Sequence, residues 1–225
     1  VDYAINEILY TFLNRDKGFE DNLFAVNQRY YEKFGTPNYF IPPTDYLAPK
    51  RISFANSKYV IVNNLFYSYL YIPSNGYVQT VSTGWLNLFI NTYNGVDVHV
   101  FLHREDKSIK KRISRNILYS RANANDVKDV SESYEESMKT LDASSYLKEG
   151  ISNGQDFYYV STLISVCGYT PEEVDAKIKS LKKVGEQNDI TIKELKYDEE
   201  EAFKSCLPLC KLSDSIFNKA KRNVL

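Results

Sequence analysis

Few side chains in this sequence have the types and spacing that chemistry requires. His99 and His103 are the only histidines, four residues apart within VDVHVFLH. On a helix that spacing presents two imidazoles to one metal ion. The segment 96–103 reads as a strand, where the rings share a face but lie roughly 13 Å apart at about 3.3 Å rise per residue. They cannot chelate one ion together, so they read as ordinary strand positions, with a lone general base as the alternative. Cys206 and Cys210 are also four apart, with Pro208 between them, and the third cysteine, Cys167, sits in a strand-like run. Zinc sites present two pairs of ligands, and no second pair is near in sequence. The bland reading is three reduced thiols; a redox or metal pair is the sharper one.

Carboxylates cluster at Glu132, Glu135 and Glu136 and again at Asp198–Glu201. Paired acids do acid–base work only in a cleft that shifts their pKa values, so both clusters read as solvated helix faces. The first would return beside a basic stretch of Arg104, Lys107, Lys110, Lys111, Arg112, Arg115 and Arg121. Either the acidic helix neutralises the basic one, or the basic face meets an anionic lipid or nucleic acid. The glycines, at 18, 35, 76, 84, 95, 150, 154, 168 and 185, include no pair five apart and no GxGxxG. The sequence therefore carries no recognisable phosphate cradle.

The elements that must position these residues form three groups. Ile5, Ile8, Leu9 and Phe12 repeat at helix spacing, a second run carries Leu23, Phe24, Tyr30 and Phe34, and prolines punctuate the chain to residue 50. This is a helical N-terminal arm with a Pro-rich linker over 1–50. RISFA, KYVIV and LFYSYLYI then read as strands. In the last, Leu65, Tyr67, Tyr69 and Tyr71 share one face and Phe66, Leu70 and Ile72 the other, so both faces are expected to be covered or to lie at an interface. Ser82 caps a helix with Trp85, Leu86, Phe89, Ile90 and Tyr93, which Asn94-Gly95 ends. After the strand at 96–103, residues 106–148 read as two amphipathic helices broken at Asn123–Asn125, an antiparallel hairpin. DFYYVSTLISVCG (156–168) is the strongest strand. Thr170-Pro171-Glu172-Glu173 opens a helix through a capping box, with Val174, Ile178, Leu181 and Val184 as its buried stripe. Ile190–Leu195 is the last strand.

From Leu65 onward the order is strand, helix, strand, helical hairpin, strand, helix, strand. The expected fold is α+β: ferredoxin-like βαβ units in an α/β sandwich, with the helical hairpin inserted at about 106–150. The α+β domain would span 51–198, and 199–225 would be a connector. Composition agrees with an ordered, β-containing chain: 225 residues, 43% hydrophobic, 19 Tyr, 12 Phe and only 9 Gly. With 28 basic against 29 acidic residues, net charge offers no argument for nucleic acid as main partner. No run of 18 apolar residues is present, and the first residues carry no signal-peptide pattern. The chain opens at Val1 and its only Met is Met138, the pattern expected of a piece of a longer or processed protein.

Several segments together resemble a known family. DYLAP (45–49), KYVIVNNLFYSYLYI (58–72) and VSTGWL (81–86), followed by DASSYLKEGISNGQDFYYVSTLISVCG (142–168), are similar to the N-terminal domain of type IV secretion ATPases, the CagE/TrbE/VirB component of conjugation machines. AFKSCLPLC (202–210) resembles that domain's exit, whose usual flavour is Gly-Phe-x-Ser-x-Leu-Pro-Leu-Gly; here Ala202 and Cys210 replace the two glycines. The resemblance covers about residues 45–210 and rests on the order of the blocks. It implies a non-catalytic docking and assembly domain, cytoplasmic and peripheral to the membrane, that links a motor to inner-membrane components. It implies no cofactor for this chain, with ATP and Mg expected only in a C-terminal ATPase domain beyond it. The expected partners are those inner-membrane components, the ATPase domain and, through self-association, further copies. The interaction surface would be Lys107, Lys110, Lys111, Arg112 and Arg115, or Tyr67, Tyr69 and Tyr71. Two other functions stand beside this one. A single-stranded nucleic-acid module would stack bases on the three tyrosines. A small enzyme would need a well-formed pocket lined by His99 or Cys167.

Overall fold

The computed structural model describes residues 3–36, 40–78, 83–90, 92–104, 115, 145–146, 149–150, 152–153 and 158–224. The chain is mixed helix and sheet, and every strand pairing in the sheet is antiparallel. Its first unit is the arm, with helices α1 (Tyr3–Asn14), α2 (Phe19–Phe34) and α3 (Pro43–Leu47). Strands β1 (Ile52–Ser53), β2 (Val60–Val62) and β3 (Leu65–Tyr71) follow, then the single turn α4 (Asn87–Ile90) and strand β4 (Val96–Arg104). The second half holds β5 (Tyr158–Gly168), α5 (Pro171–Gln187), β6 (Lys193–Glu194), α6 (Glu199–Cys206), α7 (Asp214–Ala220) and β7 (Arg222–Val224). The expected hairpin at 106–150 lies almost wholly outside the described residues, as does the Ser82 cap. Among the described residues no helix is long and apolar enough to cross a membrane.

The sheet runs β1-β2-β3-β5-β4, with β6 added beside β3 and β7 beside β5. β2 and β3 are joined by the two residues Asn63-Asn64, and Asn63 adopts the left-handed φ of 54° that a tight hairpin demands. Gly95, just before β4, has φ of 83°, and a Cβ there would lie 2.9 Å from Cys167 O, so the close approach of the chain to β5 at this point requires glycine.

The alternation in LFYSYLYI works as anticipated. Leu70 and Ile72 join Ile164, Val166, Phe89, Val174, Ile178 and Leu181 in one core, between the sheet and α4 and α5. Tyr67 and Tyr69 face the other way, into a second core with Val60, Leu163, Ala202, Cys206 and Ile216. The segment expected as a connector, 199–225, thus supplies α6 and α7 as the cover of the sheet's second face. β7 from the same segment pairs with Tyr158–Val160.

α5 is anchored at its start. Thr170 Oγ1 accepts from Glu173 N at 3.2 Å, and Glu173 Oε2 accepts from Tyr169 N at 2.9 Å, one residue before the expected capping-box partner. Lys177 Nζ donates to Asn94 O and Cys167 O at 2.9 and 2.8 Å and pairs with Glu173, tying the helix to the ends of β4 and β5. At the other flank, Asp175 accepts from Lys58 Nζ and from Tyr59 OH at 2.7 Å.

The arm departs from its apolar pattern. α1 buries Asn6, Tyr10 and Asn14 and leaves Ile5 and Ile8 at 53% and 68% exposure. Asn14 is the reason. Its Nδ2 donates to Tyr10 O and Leu47 O at 3.1 and 3.0 Å, and its Oδ1 accepts from Asn63 Nδ2 at 3.1 Å. One buried amide thereby joins α1, α3 and the β2–β3 turn, and turns the polar stripe inward.

Gly185 gives a test of sign. Alanine in place of a helix glycine ordinarily stabilises by about 1 kcal/mol. Here a Cβ would sit 2.6 Å from Ile190 O, a backbone atom that cannot swing away. Gly185→Ala is therefore expected to destabilise the chain, by about 1–3 kcal/mol, read as a lower urea midpoint. An unchanged or raised midpoint contradicts this packing.

Candidate functional site

The sheet's second face carries the cluster most able to do chemistry. Asp97, His99, Phe101 and His103 project there from β4, as the period of two requires. β5 lies opposite in a register that sets Asp97 beside Ser165 and His99 beside Leu163. His99 Nε2 is 3.2 Å from Ser165 Oγ, and Ser165 Oγ donates to Asp97 Oδ2 at 3.2 Å. Arg15, in the left-handed conformation at the end of α1 (φ 52°), forms an ion pair with Asp97. Arm and sheet are joined by this row: Arg15, Asp97, Ser165, His99.

Burial sets the electrostatics. Desolvation, helped by the Arg15 charge, lowers the His99 pKa to about 4, so the ring is neutral at physiological pH. Burial pushes Tyr67 up to about 12 and also raises Cys167, which faces it. Burial alone pushes the Cys206 thiol up to about 12. None of these groups is an activated nucleophile, which would need a depressed pKa or an adjacent base.

The row superficially contains Ser, His and Asp. Its order is wrong for a nucleophile and base. In a working triad the histidine bridges acid and serine. Here the serine bridges acid and histidine, and its one proton already goes to Asp97. His99 acts as a partner to Ser165 Oγ, and Asp97 does not orient it. The row is a partly buried polar tie between arm and sheet.

Two openings adjoin it. A small opening of about 30 Å³ has Arg15, Tyr67 and His99 on its wall. Arg15 Nε is buried without a protein partner. A groove of about 770 Å³ runs along β4, between His99, Phe101 and His103 on one bank and Cys206, Cys210 and Phe217 on the other. His99 lines both openings; among the described residues no three or more metal-binding side chains are grouped. The three cysteines are free thiols, with only Cys210 exposed.

Comparison of the chain with protein-family models and with curated proteins finds no match.

The anticipated interaction residues divide. Tyr67 and Tyr69 are 7% and 2% exposed and lie in the second core, so neither ring is a stacking platform while α6 covers it. Tyr71 is half-buried against the same core. Lys107, Lys110, Lys111 and Arg112 lie outside the described residues, and Arg115 is helical and exposed. Sequence reasoning passed over Arg15, Asp97 and Ser165. Asp97 and His99 share a strand face, which was a readable signal; Arg15 and Ser165 join them only through tertiary contact.

The neutral His99 makes stability pH-dependent with a definite sign. Its folded pKa lies below the unfolded value of about 6.5, so the unfolded state binds more protons between about pH 6.5 and pH 4. Stability is present above that window and is lost as pH falls through it. Between about pH 7 and pH 5, above most carboxylate titration, the loss is about 2 kcal/mol by linkage. Urea unfolding at both pH values is expected to show that loss in the natural chain and a smaller one in His99→Gln. Equal slopes in the two proteins would remove His99 as the titrating group.

Proposed function

We propose that this chain is a non-catalytic docking and assembly domain of the kind that precedes the motor in conjugative type IV secretion ATPases. The core we assign to it is ferredoxin-like. Four strands and two helices follow as β3, α4, β4, β5, α5, β6, and the neighbours in the sheet run β6-β3-β5-β4, all antiparallel. That order supports two interlocked strand–helix–strand units.

The observation that carries the family reading is at Cys210. The exit pattern AFKSCLPLC ends where the family has glycine, and Cys210 has a φ of 51°. A left-handed backbone is where glycine is favoured, so the conformation fits the pattern although the residue departs from it. Ala202, at the other glycine position, is completely buried in the second core, in keeping with a small residue there.

Inner-membrane components of the transfer apparatus are the partners, and the chain is peripheral to the membrane on its cytoplasmic side. With Tyr67 and Tyr69 inside, docking falls to the basic stretch from Arg104 to Arg121. ATP and Mg belong to a motor domain, which the family places downstream.

The test is co-sedimentation with membranes. Vesicles holding the inner-membrane components of a conjugation machine are expected to retain the chain, and vesicles of the same lipids without them are not. Reversing charge at Lys110, Lys111, Arg112 and Arg115 is expected to lower retention at least tenfold. Equal retention by both vesicle types, or no retention by either, overturns the docking role.

A further inference from the structure

β4 is the open edge of the sheet. Its nine residues pair with β5 on one side and, among the described residues, with no strand on the other. The ladder itself tells which backbone groups face the open side. Cys167 N donates to Gly95 O at 2.8 Å, and these two residues lie opposite each other one step beyond the Val96–Val166 pair. Bonded and non-bonded pairs alternate in an antiparallel ladder. Asp97, His99, Phe101 and His103 therefore direct their N–H and C=O groups to β5. Val96, Val98, Val100 and Leu102 direct theirs outward.

Natural edges are protected by proline, bulges, central lysines or short length. β4 has none of these. Its register with β5 is unbroken over all nine residues, its only cation is Arg104 at the end, and Val100 and Leu102 are 43% and 69% exposed. The outward amides and carbonyls of Val96, Val98, Val100 and Leu102 form a template that another extended backbone matches group for group.

We propose that two copies of this chain join through β4, antiparallel about a two-fold axis at Val100, to form one continuous sheet. This rests on the sheet alone and not on the family reading. Three features select the register. β4 spans Val96–Arg104, so Val100 is its midpoint, and only this centre pairs all nine residues. Val100 directs its polar groups outward, so it forms a reciprocal bonded pair with the partner's Val100. The same register sets Val98 against Leu102 of the partner subunit, covering the exposed apolar side chains on one face. On the other face it sets Asp97 against the partner's His103, a carboxylate facing an imidazole. Centring on Val98 would leave Leu102 unpaired, and centring on Leu102 would leave Asp97 unpaired. An isologous contact of this kind closes at two copies and does not propagate.

Sedimentation equilibrium of the full chain, from micromolar to hundreds of micromolar, is expected to show a monomer–dimer equilibrium. Val100→Pro removes an outward N–H and leaves the bonds to β5 in place, so it is expected to yield monomer with unchanged cooperative melting. Leu102→Lys gives a second, exposed disruption should the proline variant fail to fold. Register is read by crosslinking in a Cys210→Ser background. Opposed residues of a bonded pair lie about 5.5 Å apart between Cα atoms, within disulfide reach of about 4.4–6.8 Å. Val100→Cys is expected to give a disulfide-linked dimer under mild oxidation. Leu102→Cys, whose two copies would be roughly 13 Å apart, is expected to give none. The proposal is overturned if the natural chain stays monomeric throughout, if Leu102→Lys still dimerises, or if Leu102→Cys crosslinks as readily as Val100→Cys. Monomer that binds an extended peptide of another protein at β4 would likewise replace it.

Discussion

β5 is the strand on which the rest of the molecule depends. One edge pairs with β4 over Tyr158–Val166; the other is divided between β7 at Tyr158–Val160 and β3 at Leu163–Gly168. Every residue from Ser161 to Gly168 is buried, on both faces. A strand paired on both edges and covered on both faces has no freedom of register, because a slip of one residue would exchange its two sets of side chains. Leu163 and Ile164 show the consequence. Adjacent in sequence, they belong to different cores and define which helices each core recruits.

The two cores differ in how they are closed. The first is covered by the turn α4 and by one long amphipathic helix, α5, capped by Thr170 and tethered by Lys177. The second is closed by shorter pieces, α6 and α7, and by the arm. Its closure relies on polar contacts that reach across the chain, from Arg15 to Asp97 and from Asn14 to Asn63. These contacts are partly buried, and losing one partner would leave the other's polar group unpaired at a cost.

Much of this was legible in the residues. The double-faced pattern of Leu65–Ile72 foretold two covered faces, the run at 156–168 foretold the central strand, and Thr170-Pro171 placed a helix start that the structure reproduces. These signals are local, set by side-chain period or by a cap. What stayed hidden is non-local. α6 resembled a passage toward another domain because its acidic first turn and proline exit look the same whether or not its apolar face is used; only Ala202 and Cys206 packing on Tyr69 decide that. α1 misled in the opposite way. Its Ile5-Ile8-Phe12 stripe looked like core, but Asn14 found three hydrogen-bond partners and drew the polar face inside. Ser165 and Arg15 were invisible for the same reason: their neighbours lie more than sixty residues away in the chain.

That separation has a consequence in time. β3 and β4 are complete at Arg104, but β5, the strand that joins them, begins at Tyr158. At about 5–20 residues per second, a growing chain carries both strands for several seconds before their common partner leaves the ribosome. During that interval β3, apolar on both faces, has among the described residues its short hairpin with β2 as strand partner. Long-range pairing of this kind slows folding and leaves unpaired edges exposed to neighbours. The same sheet that is so firmly held once finished is therefore a hazard while it is being made, and nascent-chain chaperones would meet this protein at β3 and β4.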